Sequence, residues 1–270
     1  RLRRQAQVLT ATIAAEARNA AYANATKFAV TQTDLQDTQL NSLSALASQL
    51  KKAVSDAVVN NDGSTLMAQA QSIFDQASAI LNSKDANGDY IYAGGRTDVA
   101  PVTADSLADL LAAPSAASTF ANGDLKKFIQ VGDGVTVDYG IAASDIGLGL
   151  MQALRDIAVF DSGASFAAGP TLSAAQNSFL TGMIATTGSV AVDLNAASAA
   201  NAYVAGRLSD AQTQQESMTT LYKSFVSNIQ DTNMADAATQ LSLNQTQLQA
   251  ALQVTAGLHQ LSLLNYLSGR

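Results

Sequence analysis

The stretch Leu43-Ser44-Ala45-Leu46-Ala47-Ser48-Gln49-Leu50-Lys51-Lys52-Ala53-Val54-Ser55-Asp56-Ala57 decides the fold class. Leu43, Leu46, Leu50, Ala53 and Ala57 step alternately by three and four, which puts them on one face of an α-helix. Upstream, Leu9, Ile13, Ala17, Ala20 and Ala21 read the same way, and no Gly or Pro interrupts the chain before Gly63. The spacing predicts one very long helix, or a barely interrupted pair, from Arg1 to about Val59. That length exceeds the ordinary globular range and points to a bundle or coiled coil.

Outward from there, Asn60-Asn61-Asp62-Gly63 reads as a turn, with Ser64 as the N-cap of a helix ending near Leu81. Leu66, Ala70, Ile73, Ala77 and Ile80 share its apolar face. A short turn between two such helices makes them antiparallel neighbours. The middle of the chain is different, since all three Pro and most of the 17 Gly lie there. Tyr90-Ile91-Tyr92 reads as strand after the turn cluster Asp85–Asp89. Phe128-Ile129-Gln130-Val131, Gly132-Asp133-Gly134 and Val135–Tyr139 form a hairpin signal. Short helix is expected near Leu107–Leu111, and a longer one from Gly149 to Phe160.

Helix resumes near Leu172. Its best heptad pairs Val204, Ala211, Met218 and Phe225 with Leu208, Gln215, Tyr222 and Ile229. Asp231-Thr232-Asn233 is expected to break the run before a final helix from Met234 to Leu267. Beyond Ala250 that helix is apolar all round, which demands burial on every side. Leu252, Leu258, Leu261, Leu263, Leu264, Tyr266 and Leu267 are therefore the candidate assembly interface with other chains.

The expected architecture is mainly α with an inserted α+β region. A long antiparallel bundle or coiled coil joins the N- and C-terminal arms, and a small β-containing domain lies between. In chain order the division is a helical arm over 1–84, a β-containing region over 85–170 and a second arm over 171–270, which includes the terminal assembly helix.

Composition excludes several functions. With no Cys, thiol nucleophiles and Cys-zinc sites are ruled out. The net charge of −7 argues against nucleic acid as a partner. No apolar run reaches the 18 residues of a membrane span. No P-loop, G-x-S-x-G or dinucleotide fingerprint occurs, so neither an enzyme nor a cofactor is expected. Arg1-Leu2-Arg3-Arg4 has no apolar stretch behind it and does not read as a cleavable signal. The chain does not start with Met, so further sequence is expected upstream. His259 is expected to pack in a helix seam. Asp85, Asn87 and Asp89 have the spacing that opens a calcium loop, but Arg96 stands where that loop needs a bidentate Glu. A solvated turn and no metal are expected there.

The segment Ile229-Gln230-Asp231-Thr232-Asn233-Met234-Ala235-Asp236-Ala237-Ala238-Thr239-Gln240-Leu241 resembles the C-terminal signature of the bacterial flagellin family. Gln260-Leu261-Ser262-Leu263-Leu264-Asn265-Tyr266-Leu267 resembles that family's terminal segment. Gly88–Asp98 is similar both to flagellins and to the shorter hook–filament junction subtype, and the Val131–Val135 hairpin leans toward the latter. The resemblance implies a secreted structural subunit of the bacterial flagellum or cell surface, assembling with itself into a helical filament. It further implies the flagellar export machinery, and a chaperone, as partners, and an N-terminal tube helix that is expected to lie upstream of Arg1. Two alternatives stand beside the filament subunit. One is the junction protein. The other is a surface protein that binds acidic polysaccharide through Tyr90, Tyr92, Arg96, Lys126 and Lys127, with Tyr139 and Arg155 nearby.

Overall fold

Exposed hydroxyls along the first helix fold back onto its own backbone. Thr10, Thr12, Thr31, Thr38 and Ser42 each donate to the carbonyl four residues back, an arrangement open to Ser and Thr in a helix. With no Gly or Pro to interrupt it, α1 runs from Leu2 to Asn60. The computed structural model describes the backbone of residues 2–268 and the side chains of residues 3–254 other than 231–233 and 236. It contains α2 (Leu66–Leu81), α3 (Leu107–Ala112), β1 (Phe128–Gly132), β2 (Val135–Asp138), α4 (Ala143–Gly163) and α5 (Ala174–Ser268). The chain groups into two compact units, Tyr22–Gln214 and Arg1–Ala21 with Gln215–Arg270. These cut across the division by chain order, because each long helix contributes to both.

In the Tyr22–Gln214 unit, α1 and α5 run antiparallel. Thr33 meets Asn201, Asp37 meets Ser198 and Ser44 meets Asn195, one number rising as the other falls. The core joins Leu43, Leu46 and Leu50 of α1 to Phe74 and Leu81 of α2, to Leu150 and Leu154 of α4 and to Leu180 and Leu194 of α5. At the end of α1, Asn61 takes the left-handed conformation (φ 53°). The Asp62 N–H reaches Ala57 O and the Asn61 N–H reaches Val58 O, which is a Schellman stop. Ser64 is not the cap of α2. Its N–H donates to Asp62 Oδ1 at 2.9 Å, the helix begins two residues later, and Thr65 supplies no side-chain cap. Gly63 is required by crowding, since a Cβ there would lie 2.7 Å from Phe166 Cβ and 2.9 Å from Leu172 Cδ2.

The inserted segment contains less strand than its sequence suggests. Tyr90-Ile91-Tyr92 is not a strand, and only an isolated Lys84–Tyr90 bridge forms there. Ile91 and Tyr92 turn inward instead, and both are buried. The expected hairpin is present, with Ile129 opposite Val137 and a bulge between Gln130 and Gly132. Its inner residues Ile129, Val131, Val137 and Tyr139 pack on Ala29, Val30, Val204 and Leu208, forming a small cluster apart from the main core. Near the hairpin turn, the Tyr22 hydroxyl donates to Asp133 Oδ1 at 2.9 Å. Helix α4 starts at Ala143, before the Gly149 that the sequence suggests. Gly147 and Gly149 do not delay it. A Cβ at Gly147 would meet Leu81 Cδ1 at 2.5 Å, so that glycine serves helix packing.

In the Arg1–Ala21 and Gln215–Arg270 unit, Asn19 Nδ2 donates to Gln215 O and to Thr219 Oγ1, both at 2.8 Å. The stripe read upstream is displaced from the one expected. Leu9 is partly covered as expected, but Ile13, Ala17, Ala20 and Ala21 are exposed, and Gln5, Thr12, Glu16 and Asn19 are partly covered instead. On α5, Gln215 is buried, and Met218, Tyr222, Val226 and Ile229 are partly so. Phe225, read as a seam position, faces solvent, while its neighbour Val226 is partly covered. The break expected at Asp231-Thr232-Asn233 does not occur, and α5 is continuous to Ser268. Asp, Thr and Asn carry only modest helix penalties, and no Gly or Pro accompanies them.

Candidate functional site

The candidate site is a helix surface. Along α5 beyond residue 230, Met234 is 73% exposed, Leu241 59%, Leu248 62% and Leu252 62%. Steps of seven, seven and four place these four within one narrow stripe. Leu243 and Val254 are equally exposed on the opposite side. Covering each such side chain contributes about 1.5–3 kcal/mol, so the stripe is suited to another helix. Of the interface residues read from sequence, only Leu252 is described. Leu258, Leu261, Leu263, Leu264, Tyr266 and Leu267 lie outside the described residues, as does His259. Sequence reading overlooked Met234, Leu241 and Leu248, although their seven-residue spacing is visible once the helix is known to be unbroken.

The residues read as polysaccharide contacts do not form one open surface. Tyr92 is fully buried, and its hydroxyl donates to Gln39 Oε1. It has no face to stack on a sugar. Burial pushes its phenol far above the ordinary range. Tyr139 is also buried, and burial followed by the Asp85 charge raises its phenol. Tyr90 is half-buried with the Lys84 ammonium 4.5 Å over its ring. Three of the cations have partners within the chain. Arg96 donates to Ala121 O at 3.1 Å, Lys126 pairs with Asp145 at 3.1 Å, and Arg155 donates to Ala113 O at 2.7 Å. Lys127 lies between the Gly123 loop and β1, and its carbonyl accepts the Tyr139 and Gly140 N–H groups.

Nor is a calcium loop built. Asp85 Oδ1 accepts the backbone N–H of Asn87 at 2.8 Å and of Asp89 at 3.2 Å. The carboxylate closes the turn from within. Among the described residues no cluster of His, Cys, Asp and Glu is arranged to hold a metal ion, and no helix is long and apolar enough to cross a membrane.

Known proteins place this helix surface in context. Residues 184–267 match the family model described as the bacterial flagellin C-terminal helical region. Over 91 residues the chain is 35% identical to flagellar hook-associated protein 3 of Salmonella typhimurium, covering 32% of this chain and 29% of that protein. The chain thus matches less than a third of that relative's length. A structure from Vibrio parahaemolyticus described as a flagellar hook-associated protein superposes with a TM-score of 0.63 at 16% identity, covering 82% of this chain and 95% of that one. Bacillus cereus FlgL superposes at 0.50 with 12% identity, over 85% and 97%. The chain therefore carries a region that matches the flagellin C-terminal helical model, its fold is similar to those two structures, and the resemblance read from its terminal motifs holds.

Proposed function

We propose that this chain is a structural subunit of the bacterial flagellum, of the kind that joins hook to filament. It acts by packing its terminal helices against those of neighbouring subunits and carries out no catalysis. The observation that carries this reading is the exposed Met234–Leu241–Leu248–Leu252 stripe, which lies within the segment matched to the flagellin C-terminal region. A helix with such a face gains stability only when another helix covers it. The assembly residues Leu258, Leu261, Leu263, Leu264, Tyr266 and Leu267 continue the same helix toward its end and belong to the same proposed contact. Junction is preferred over bulk filament because the relatives above are named hook-associated. Export by the flagellar route, with a chaperone covering the apolar helix before assembly, fits the same reading.

The test is electron microscopy of cells making the complete protein with an epitope tag. Gold label confined to one band between hook and filament is expected. Label along the whole filament would assign the bulk filament role instead. Leu248→Asp with Leu252→Asp should abolish the band while the secreted protein keeps its helical content. Normal bands from that variant would overturn the assembly surface.

A further inference from the structure

Two Asn-Gly pairs occur in the chain, Asn87-Gly88 and Asn122-Gly123. Such a pair can deamidate without an enzyme. The glycine nitrogen attacks the asparagine Cγ, the new N–Cγ bond closes a five-membered imide, and ammonia leaves with the proton that the nitrogen gives up. Water then opens the imide at either carbonyl, yielding Asp or its β-linked isomer. The reaction needs a free carboxamide, an unshielded glycine nitrogen and enough backbone slack to bring them together. Glycine supplies the last two best because it has no side chain.

Both glycine nitrogens donate one backbone hydrogen bond, and the two sites differ in the freedom of the carboxamide and of the surrounding backbone. Asn87 is exposed, and its carboxamide makes no hydrogen bond; only its backbone N–H is engaged, by Asp85 Oδ1. Gly88 sits at φ +87° with nothing within 4 Å of where a Cβ would stand. Its N–H meets only the Asp85 carbonyl of the same exposed turn, at 3.0 Å. Asn122 is locked on both sides. Its Oδ1 accepts the Ser144 N–H at 3.1 Å in the first turn of α4, and its Nδ2 donates to Ser144 Oγ at 3.1 Å. The Gly123 N–H is tied to Ala93 O at 2.9 Å, and Gly95 N stands 3.3 Å from its Cβ position. Attack at either site releases one glycine N–H bond, but at Asn122 it would have to release a helix cap as well.

We propose that Asn87 is a spontaneous modification site of this protein and that the fold protects Asn122. Conversion places a new carboxylate between Asp85 and Asp89. The β-linked product also adds a methylene to the main chain inside a turn closed by the Gly88 N–H to Asp85 O and Asp85 N–H to Asp89 O bonds. That longer loop cannot keep both bonds, so the adjoining Lys84–Tyr90 bridge loosens.

The experiment ages the full chain at mildly alkaline pH and physiological temperature, then maps peptides by mass spectrometry and assays isoaspartate by enzymatic methyl transfer. In the folded protein, conversion at Asn87 should exceed that at Asn122 by about tenfold, reflecting the helix cap that only Asn122 must break. In guanidinium the two sites should convert at similar rates. Asn87→Gln should remove the acidic species from isoelectric focusing of the aged protein. Equal rates at the two sites in the folded chain, an unconverted Asn87 beside a converted unfolded control, or acidic species persisting in Asn87→Gln would each overturn the proposal.

Discussion

Tyr92 shows how a single side chain is read differently once its surroundings are known. Its hydroxyl finds Gln39 across the core, and burial keeps the phenol neutral far above its ordinary value of 10.0. The folded state holds that proton more tightly than the unfolded chain does. The associated stability is therefore complete below pH 10.0 and is lost as pH rises beyond it. The loss has a limiting slope of about 1.4 kcal/mol per pH unit for one such proton. Tyr139 adds a contribution of the same sign. Tyr92→Phe should cost about 1 kcal/mol at neutral pH through the lost hydrogen bond, yet unfold less steeply with pH on the alkaline side. Denaturant titrations across that range measure both effects, and parallel alkaline limbs for the two proteins would contradict the account. None of this is visible in the sequence, where Tyr90-Ile91-Tyr92 alternates like a half-buried strand. The signal that would have corrected it is tertiary. The Tyr92 carbonyl accepts the Ala143 N–H at 2.9 Å, so the start of α4 occupies the bonds a sheet partner would have used.

Among the elements, the hairpin is the one held by its own small cluster. Ile129, Val131, Val137 and Tyr139 meet Ala29, Val30, Val204 and Leu208, with no member shared with the main core. Its opening should therefore be local, as expected where few apolar contacts hold an element. Val137→Asp buries an unpaired charge in that cluster. Hydrogen exchange should then quicken across residues 128–138 while α2 and α4 keep their protection. Equal loss of protection in all three would show that the hairpin belongs to the core. Helices and hairpin were legible because their signals are local: no breakers in α1, three-four spacing in α2, a Gly-Asp-Gly turn between alternating strands. The misreadings also have local causes. Asp231-Thr232-Asn233 resembles a stop but carries only modest helix penalties. Gly149 resembles a helix start but sits inside α4, as does Gly147, where Leu81 leaves no room for a Cβ. The exposed stripe on α5 was half legible. Leu252 stood out by local density, whereas Met234, Leu241 and Leu248 needed the knowledge that α5 is unbroken.

For the molecule as a whole, the distribution of charge matters more than its total. Within Tyr22–Gln214, nine Lys and Arg stand against eighteen Asp and Glu, a balance of −9, while the other unit carries +2, which together make the chain's −7. The only ion pairs among the described residues are Lys52–Asp56 and Lys126–Asp145, both at the surface. Little of that unit's acidic excess is therefore neutralised by ion pairs. If copies assemble through their terminal helices, each added subunit brings another −9 unit near its neighbours. Like charge opposes close association, whereas apolar burial along α5 favours it. Salt separates the two, since raising ionic strength from about 0.01 M to about 0.1 M shortens the screening length from roughly 30 Å to roughly 10 Å. Assembly of the complete protein should thus begin at lower protein concentration as salt is added, as followed by light scattering and sedimentation. Asp98, Asp105 and Asp124 are exposed and make no hydrogen bond or ion pair through their carboxylates. Changing all three to Asn should shift the onset at low salt toward the high-salt value and leave the high-salt onset nearly unmoved. Assembly that weakens with salt, or a triple variant with unchanged salt dependence, would mean that repulsion between the acidic units does not set the threshold.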